Sequence, residues 1–233
     1  MLETRDMSGA KHNRPDFSNL VAHFTKEGQP CVSDQKEGDP TKGKTSAYDR
    51  LIQILTDKKI NASTMPWTIK QAVCFTECPF WSLVHHANVY SPYCVGFTKA
   101  HLFAAGGGPA IYLRWDLLKK QKEFVHNKNS KITGFHHDIY SFVTPFAPDY
   151  ASRHFKQNHF PGGKQCDYSQ EREWRVPSDF AFELTEVQFI ILESYKDMAK
   201  FPTHLKDGVG REKFILLDNH SKIESLWPNH IQP

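Results

Sequence analysis

The apolar positions of this chain change period along its length, and the changes mark its elements. Leu20-Val21-Ala22-His23-Phe24-Thr25 and Ala72-Val73-Cys74-Phe75-Thr76 are short apolar runs, which predict strands. Between Tyr48 and Asp57, Leu51, Ile54 and Leu55 recur at helical spacing and predict an amphipathic helix. Pro79 suits the first turn of a helix running to about Tyr90. Tyr93 to Phe97 predicts a strand and Lys99 to Ala105 a short helix. Gly106-Gly107-Gly108 then forces a turn before a strand over Ala110 to Leu113. Trp115 to about Val125 reads as a helix with Leu117, Leu118 and Phe124 apolar. Ile132 to Phe146 fits either period, and residues 147–169 look irregular. Later strands are expected over Glu173 to Val176, Phe180 to Leu184, Val187 to Leu192 and Phe214 to Leu217, with a terminal helix over Ile223 to Trp227.

Strands and helices mix without the strict alternation of a doubly wound sheet, so the fold class expected is α+β. No Gly/Ser-rich or Pro-rich linker divides the chain, which favours one domain over 17–233 behind a flexible tail, 1–16. Residues 26–46, rich in Lys, Gly, Asp and Pro, read as a long exposed loop. A chain of 233 residues with 17 Phe, 8 Tyr and 5 Trp can fill a real core. The formal net charge of +3 permits a nucleic-acid partner without demanding one. The 5 Cys form no disulfide framework, and with no signal peptide in view they suggest a reducing cytoplasm. No apolar run approaches the roughly 20 residues of a membrane helix.

The richest stretch for chemistry is Ser169-Gln170-Glu171-Arg172-Glu173-Trp174-Arg175-Val176-Pro177. Read as a strand, it places Glu171, Glu173 and Arg175 on one face, an acid pair with an arginine that is expensive to bury. Such an arrangement suits a site that stabilises positive charge developing on a sugar; its bland counterpart is an edge strand whose acids pair with their own arginines. In the first strand His23 and Thr25 point one way and Phe24 goes to the core; in the second, Cys74 and Thr76 lie opposite Phe75 and Glu77. Gly38-Asp39-Pro40-Thr41-Lys42-Gly43-Lys44-Thr45 satisfies the P-loop pattern, but polar Ser33-Asp34-Gln35-Lys36-Glu37 precedes it where a buried strand is required. Cys74, Cys78, His85 and His86 lack zinc-ligand spacing and read as structural, so no metal is expected. His136-His137-Asp138 and the pair His154 and His159 are too loosely placed to define a site.

Leu20 to Thr25, then a helix ending Leu51-Ile52-Gln53-Ile54-Leu55 followed by Ile60-Asn61-Ala62-Ser63, then Val73-Cys74-Phe75-Thr76-Glu77, is similar to the opening of ADP-ribosyltransferase-like folds, including the DarT group. The stretch Tyr90-Ser91-Pro92-Tyr93-Cys94-Val95-Gly96-Phe97-Thr98-Lys99, followed by Pro109-Ala110-Ile111-Tyr112, resembles bacterial abortive-infection proteins of the AbiGi type. The AbiGi-like resemblance runs from about Leu20 to Leu192. Together they imply a split mixed or antiparallel sheet with flanking helices. The transferase resemblance implies His23 as the first-strand residue, Thr76 as the second-strand rest and Glu173 as the catalytic acid, with Glu171 its upstream partner. No aromatic follows Thr76 to stack on nicotinamide, so Tyr90, Tyr93 or Trp81 would have to serve.

The leading expectation is therefore a phage-defence enzyme acting at an N-glycosidic bond, whose oxocarbenium-like transition state a fixed carboxylate would stabilise. Catalytic candidates are Glu173, Glu171 and His23; substrate-binding candidates are Thr25, Thr76, Tyr90, Tyr93, Arg172 and Arg175, the arginines suiting phosphate. NAD would be the substrate in ADP-ribosyl transfer to nucleic acid or protein. DNA would be the substrate of a glycosylase excising a modified base, with Tyr90, Tyr93, Phe135, Tyr140 and Phe142 to stack it and Lys119-Lys120-Gln121-Lys122 to hold the backbone. The alternative is a non-catalytic antitoxin or binding module with a cognate toxin or antitoxin as partner; a P-loop NTPase is the second alternative.

Overall fold

The computed structural model of the protein describes residues 18–28, 45–68, 70–77, 86, 87, 89–125, 138–150 and 164–219, with the backbone alone over 121–125. In chain order the strands are β1 (Leu20–Phe24), β2 (Lys59–Ile60), β3 (Ser63–Thr64), β4 (Gln71–Thr76), β5 (Cys94–Thr98), β6 (Gly108–Pro109), β7 (Ile111–Arg114), β8 (Val143–Phe146), β9 (Glu173–Val176), β10 (Phe180–Ala181), β11 (Phe189–Leu192) and β12 (Phe214–Leu216). The helices are α1 (Ala47–Asp57), α2 (Lys99–Ala104), α3 (Trp115–Val125), α4 (Tyr195–Lys200) and α5 (Thr203–Val209).

Seven strands line up as β12-β11-β5-β1-β4-β9-β6, and β3 joins β4 to complete an eight-stranded sheet. Only β11 and β12 run parallel; the other neighbours are antiparallel, so the sheet is mixed. Two small pairs, β10 with β2 and parallel β7 with β8, stand beside it. The chain is thus α+β with a mixed sheet and several helices. No helix among the described residues is long and apolar enough to cross a membrane.

Alternation along the strands sorts the side chains onto two faces. Val21, Val73, Phe75, Val95, Phe97, Val176, Ile190 and Leu192 lie in the main core, against Leu51, Ile54 and Leu55 of α1 and against Phe180, Phe182, Phe201 and Leu205. The helical spacing that predicts α1 is therefore its buried stripe. Ser46 caps the helix by accepting from the Asp49 amide, and Lys58 ends it in a left-handed conformation. The opposite face carries a smaller cluster of Ala22, Cys94, Phe189 and Ile191, with Leu20 and Phe24 packed on it. Phe24 is therefore not in the main core, contrary to expectation. Alternation puts Gly96 on this second face, and the Phe189 ring leaves no room there for a side chain: a Cβ would come within 2.1 Å of the ring.

The expected strand from Phe180 stops at Ala181, and Leu184–Glu186 form a 3₁₀ turn closed by a capping box between Glu183 and Glu186. Helices α4 and α5 lie between the expected strands, in a segment for which no element was predicted. Their signal is present: Ser194 and Asp197 form a capping box before α4. The expected helix from Pro79 falls mostly outside the described residues, as do the tail 1–16, the P-loop match up to Lys44, the terminal helix and most of the loop 26–46.

Candidate functional site

Strand β9 begins at Glu173, not before it. Ser169–Glu171 form a 3₁₀ turn, and Arg172 follows with φ of 44°, which re-aims the chain before the ladder starts. Glu171 is thus off the strand face assigned to it. Glu173 and Arg175 do share a face, and there they hold each other. Arg175 is fully buried and Glu173 nearly so. The Arg175 Nε donates to Glu173 Oε1 at 3.0 Å and Nη2 to Oε2 at 2.8 Å. Its remaining N–H groups reach the Ser141 carbonyl at 3.1 Å, the Val143 carbonyl at 2.9 Å and Thr144 Oγ1 at 2.5 Å. All five guanidinium donors are used, and the Thr144 hydroxyl also reaches Glu173 Oε2 at 3.3 Å. A carboxylate bound on both oxygens inside the protein is occupied by its own arginine.

The opening in this fold lies one strand away. β1 follows β5 through five residue pairs but meets β4 at Ala22 opposite Thr76 alone, and beyond that pair the two strands part. A cleft of about 390 Å³ fills the gap, lined along β1 by Ala22 to Lys26 and elsewhere by Arg50, Asn61, Ser63, Cys74, Thr76, Tyr90 and Glu171. His23 spans it, with Nδ1 at 2.9 Å from the Cys74 carbonyl. A carbonyl only accepts, so Nδ1 carries the proton and Nε2 is left as an acceptor. The His23 ring packs edge-on against Phe75, on the sheet face opposite Thr76 and Glu173. The expected trio of His23, Thr76 and Glu173 therefore sits on three adjacent strands without facing one point.

Burial lowers the His23 pKa below its usual 6.5; the bond to Cys74 opposes this and the Arg50 charge adds to it. The unfolded chain then binds this proton more readily than the folded one. The contribution to stability is complete above about pH 6.5 and falls as the pH drops through and below it. A His23→Asn variant should lose less melting temperature than the parent between about pH 7.5 and 5.5, and equal losses would contradict a buried neutral imidazole.

Tyr90, a substrate-binding candidate, lines the cleft. Its ring stacks on Phe24 with centroids 6.0 Å apart, Lys26 Nζ lies 4.1 Å over the ring, and its hydroxyl bonds Glu171. Burial, then the Glu171 carboxylate, push the Tyr90 pKa up, so it remains a donor. Burial and the nearby Glu173 likewise raise the Cys74 thiol, which stays protonated beside Met65.

Other expected site residues serve the frame. The Thr25 hydroxyl is within reach of the Ala47 carbonyl at 2.8 Å and the Tyr93 carbonyl at 3.2 Å, clasping β1 to its surroundings. Tyr93 packs on Tyr48 and its hydroxyl reaches Glu193. Arg172 pairs at 3.6 Å with Glu77, a buried acid held more closely by Lys99 at 2.7 Å. Tyr140 is buried with Leu118 and Val143, so it offers no face to an extruded base; Trp81, Phe135 and the side chain of Lys122 lie outside the described residues. Among the described residues no group of three or more His, Cys, Asp or Glu is placed to hold a metal ion. Arg50, Lys26, Asn61 and Ser63 were not foreseen in the cleft. Their only sequence signal was polarity, because the pairing of distant strands brings them together.

A family model described as "Putative abortive phage resistance protein AbiGi, antitoxin" matches residues 52–207, well over half of the chain. No curated protein and no solved structure matches. The antitoxin description overturns the expectation of an enzyme acting at an N-glycosidic bond, in both its NAD and DNA versions. The geometry gives a physical reason: the carboxylate assigned to stabilise a sugar cation is already bound on both oxygens by Arg175.

Proposed function

The chain belongs to the AbiGi family of abortive phage resistance proteins, and we propose that it acts there as an antitoxin, a binding module that holds a cognate toxin without turning over a substrate. The observation that carries this reading is the closed Glu173–Arg175 pair, which supplies a structural use for the acid first assigned to stabilise the sugar cation. We also read the sheet as ADP-ribosyltransferase-like in plan. In support, β1, β4 and β9, which carry His23, Thr76 and Glu173, are neighbours, and the sheet parts between the first two. The plan would then be retained as a scaffold for binding.

Purified chain titrated into the toxin of the same abortive-infection system tests this. Neutralisation should rise in proportion to the chain added and stop at a fixed molar ratio, with toxin and chain eluting as one complex. Rescue by far less chain than toxin, continuing with time, would show turnover and overturn the proposal.

A further inference from the structure

Backbone groups of successive strand residues point to opposite neighbours. The Lys99 amide donates to Asn19 and the Thr25 amide to Tyr93, so odd-numbered residues of β1 face β5. Ala22 and Phe24 therefore face β4. On β4 the Glu77 amide donates to Arg172, which turns the odd-numbered residues toward β9 and leaves Cys74 and Thr76 facing β1. Ala22 finds Thr76. Phe24 would next find Cys74, but that pair is not formed, and the Cys74 carbonyl takes the His23 Nδ1 proton instead. Phe24 keeps its place opposite Cys94 of β5, but its N–H is on the side of the opening, where no residue of β4 is in register with it.

Beside this edge stands the His23 Nε2 acceptor. It has no hydrogen-bond partner among the described residues, and His23, Arg50 and Asn61 also line an adjoining smaller cavity of about 80 Å³. The groove is therefore longer than one side chain. The Arg50 charge that acts on His23 repels a cationic donor and favours a neutral one.

We propose that an extended segment of the toxin lies in the opening between β1 and β4, pairing with β1 at Phe24 and giving a neutral donor, a hydroxyl or carboxamide, to His23 Nε2. The proposal rests on the antitoxin reading. A strand amide on the side of an opening is placed to take a carbonyl in ladder geometry, which an extended peptide supplies, and pockets for alternate side chains then give selectivity.

Hydrogen exchange on the free chain and on its complex with the toxin reads the contact directly. The Phe24 amide should exchange at least about tenfold more slowly in the complex, and one peptide from a series tiling the toxin should reproduce the protection. His23→Phe should weaken capture of the toxin about tenfold; should that variant not fold, exchange in the parent decides. A stable complex with unchanged Phe24 exchange overturns the docking site and leaves the antitoxin reading standing. Failure to capture toxin overturns both. Protection of Phe24 by NAD alone, with none from any toxin peptide, assigns the opening to a small molecule and overturns the docking proposal.

Discussion

Arg175→Met should destabilise the fold by about 3–5 kcal/mol, the range for removing one partner of a buried ion pair. Methionine fills much of the same volume, so the loss is chiefly electrostatic. Glu173 would remain buried, deprived of the two bonds at 3.0 and 2.8 Å, while the Ser141 and Val143 carbonyls lose their shared donor. Adding Glu173→Gln to the same chain removes the stranded charge and should recover most of the loss, because an uncompensated carboxylate is the larger part of the penalty. Urea denaturation with an unchanged m-value would measure both steps. A loss under about 1 kcal/mol for Arg175→Met would mean that Glu173 does not depend on its arginine, and the structural account of the pair would fail. Glu173→Gln alone should keep toxin neutralisation per folded molecule, since nothing in the proposed contact uses this carboxylate.

This pair also shows what was legible in the sequence. The alternation Glu173, Arg175 along one face is a local fact of strand geometry, and the strand forms as its pattern predicts. The bland reading of that alternation, acids paired with their own arginine, was available from the same residues. What decides between the readings is depth: Ser141, Val143 and Thr144 arrive from a segment whose period was ambiguous, and they close the arginine's remaining bonds. Likewise β1, β4 and α1 were readable, yet the parting of β1 from β4 was not. Where the two strands part, the His23 ring meets the Cys74 carbonyl, a contact that no local pattern announces. Glu171 was misplaced for a simpler reason. Polar residues before a strand look like its continuation, and only the positive φ at Arg172 separates the turn from the ladder.

Phe97→Ala should cost about 3–5 kcal/mol, the range for deleting a buried aromatic side chain. Phe97 is fully buried on β5, two strands from β4, and four rings meet its edges. Phe180 lies at 4.9 Å and Phe182 at 4.8 Å between centroids, with His101 at 5.9 Å and Phe75 at 6.1 Å, all near T-shaped. These rings come from β4, α2, β10 and the segment after β10, so one side chain ties the middle of the sheet to the part of the chain that follows β9. The cavity left behind cannot collapse easily, because its walls belong to three separate stretches of chain, around Phe75, His101 and Phe180–Phe182. Phe97→Leu, which keeps much of the volume, should lose appreciably less. The same variant separates stability from function. Phe97 lies in the main core and does not line the opening between β1 and β4. Toxin affinity measured per folded molecule should therefore match the parent, while the fraction folded falls. If affinity falls with stability held by low temperature, the core and the opening are coupled, and the β1–β4 gap is shaped by the aromatic cluster as well as by His23.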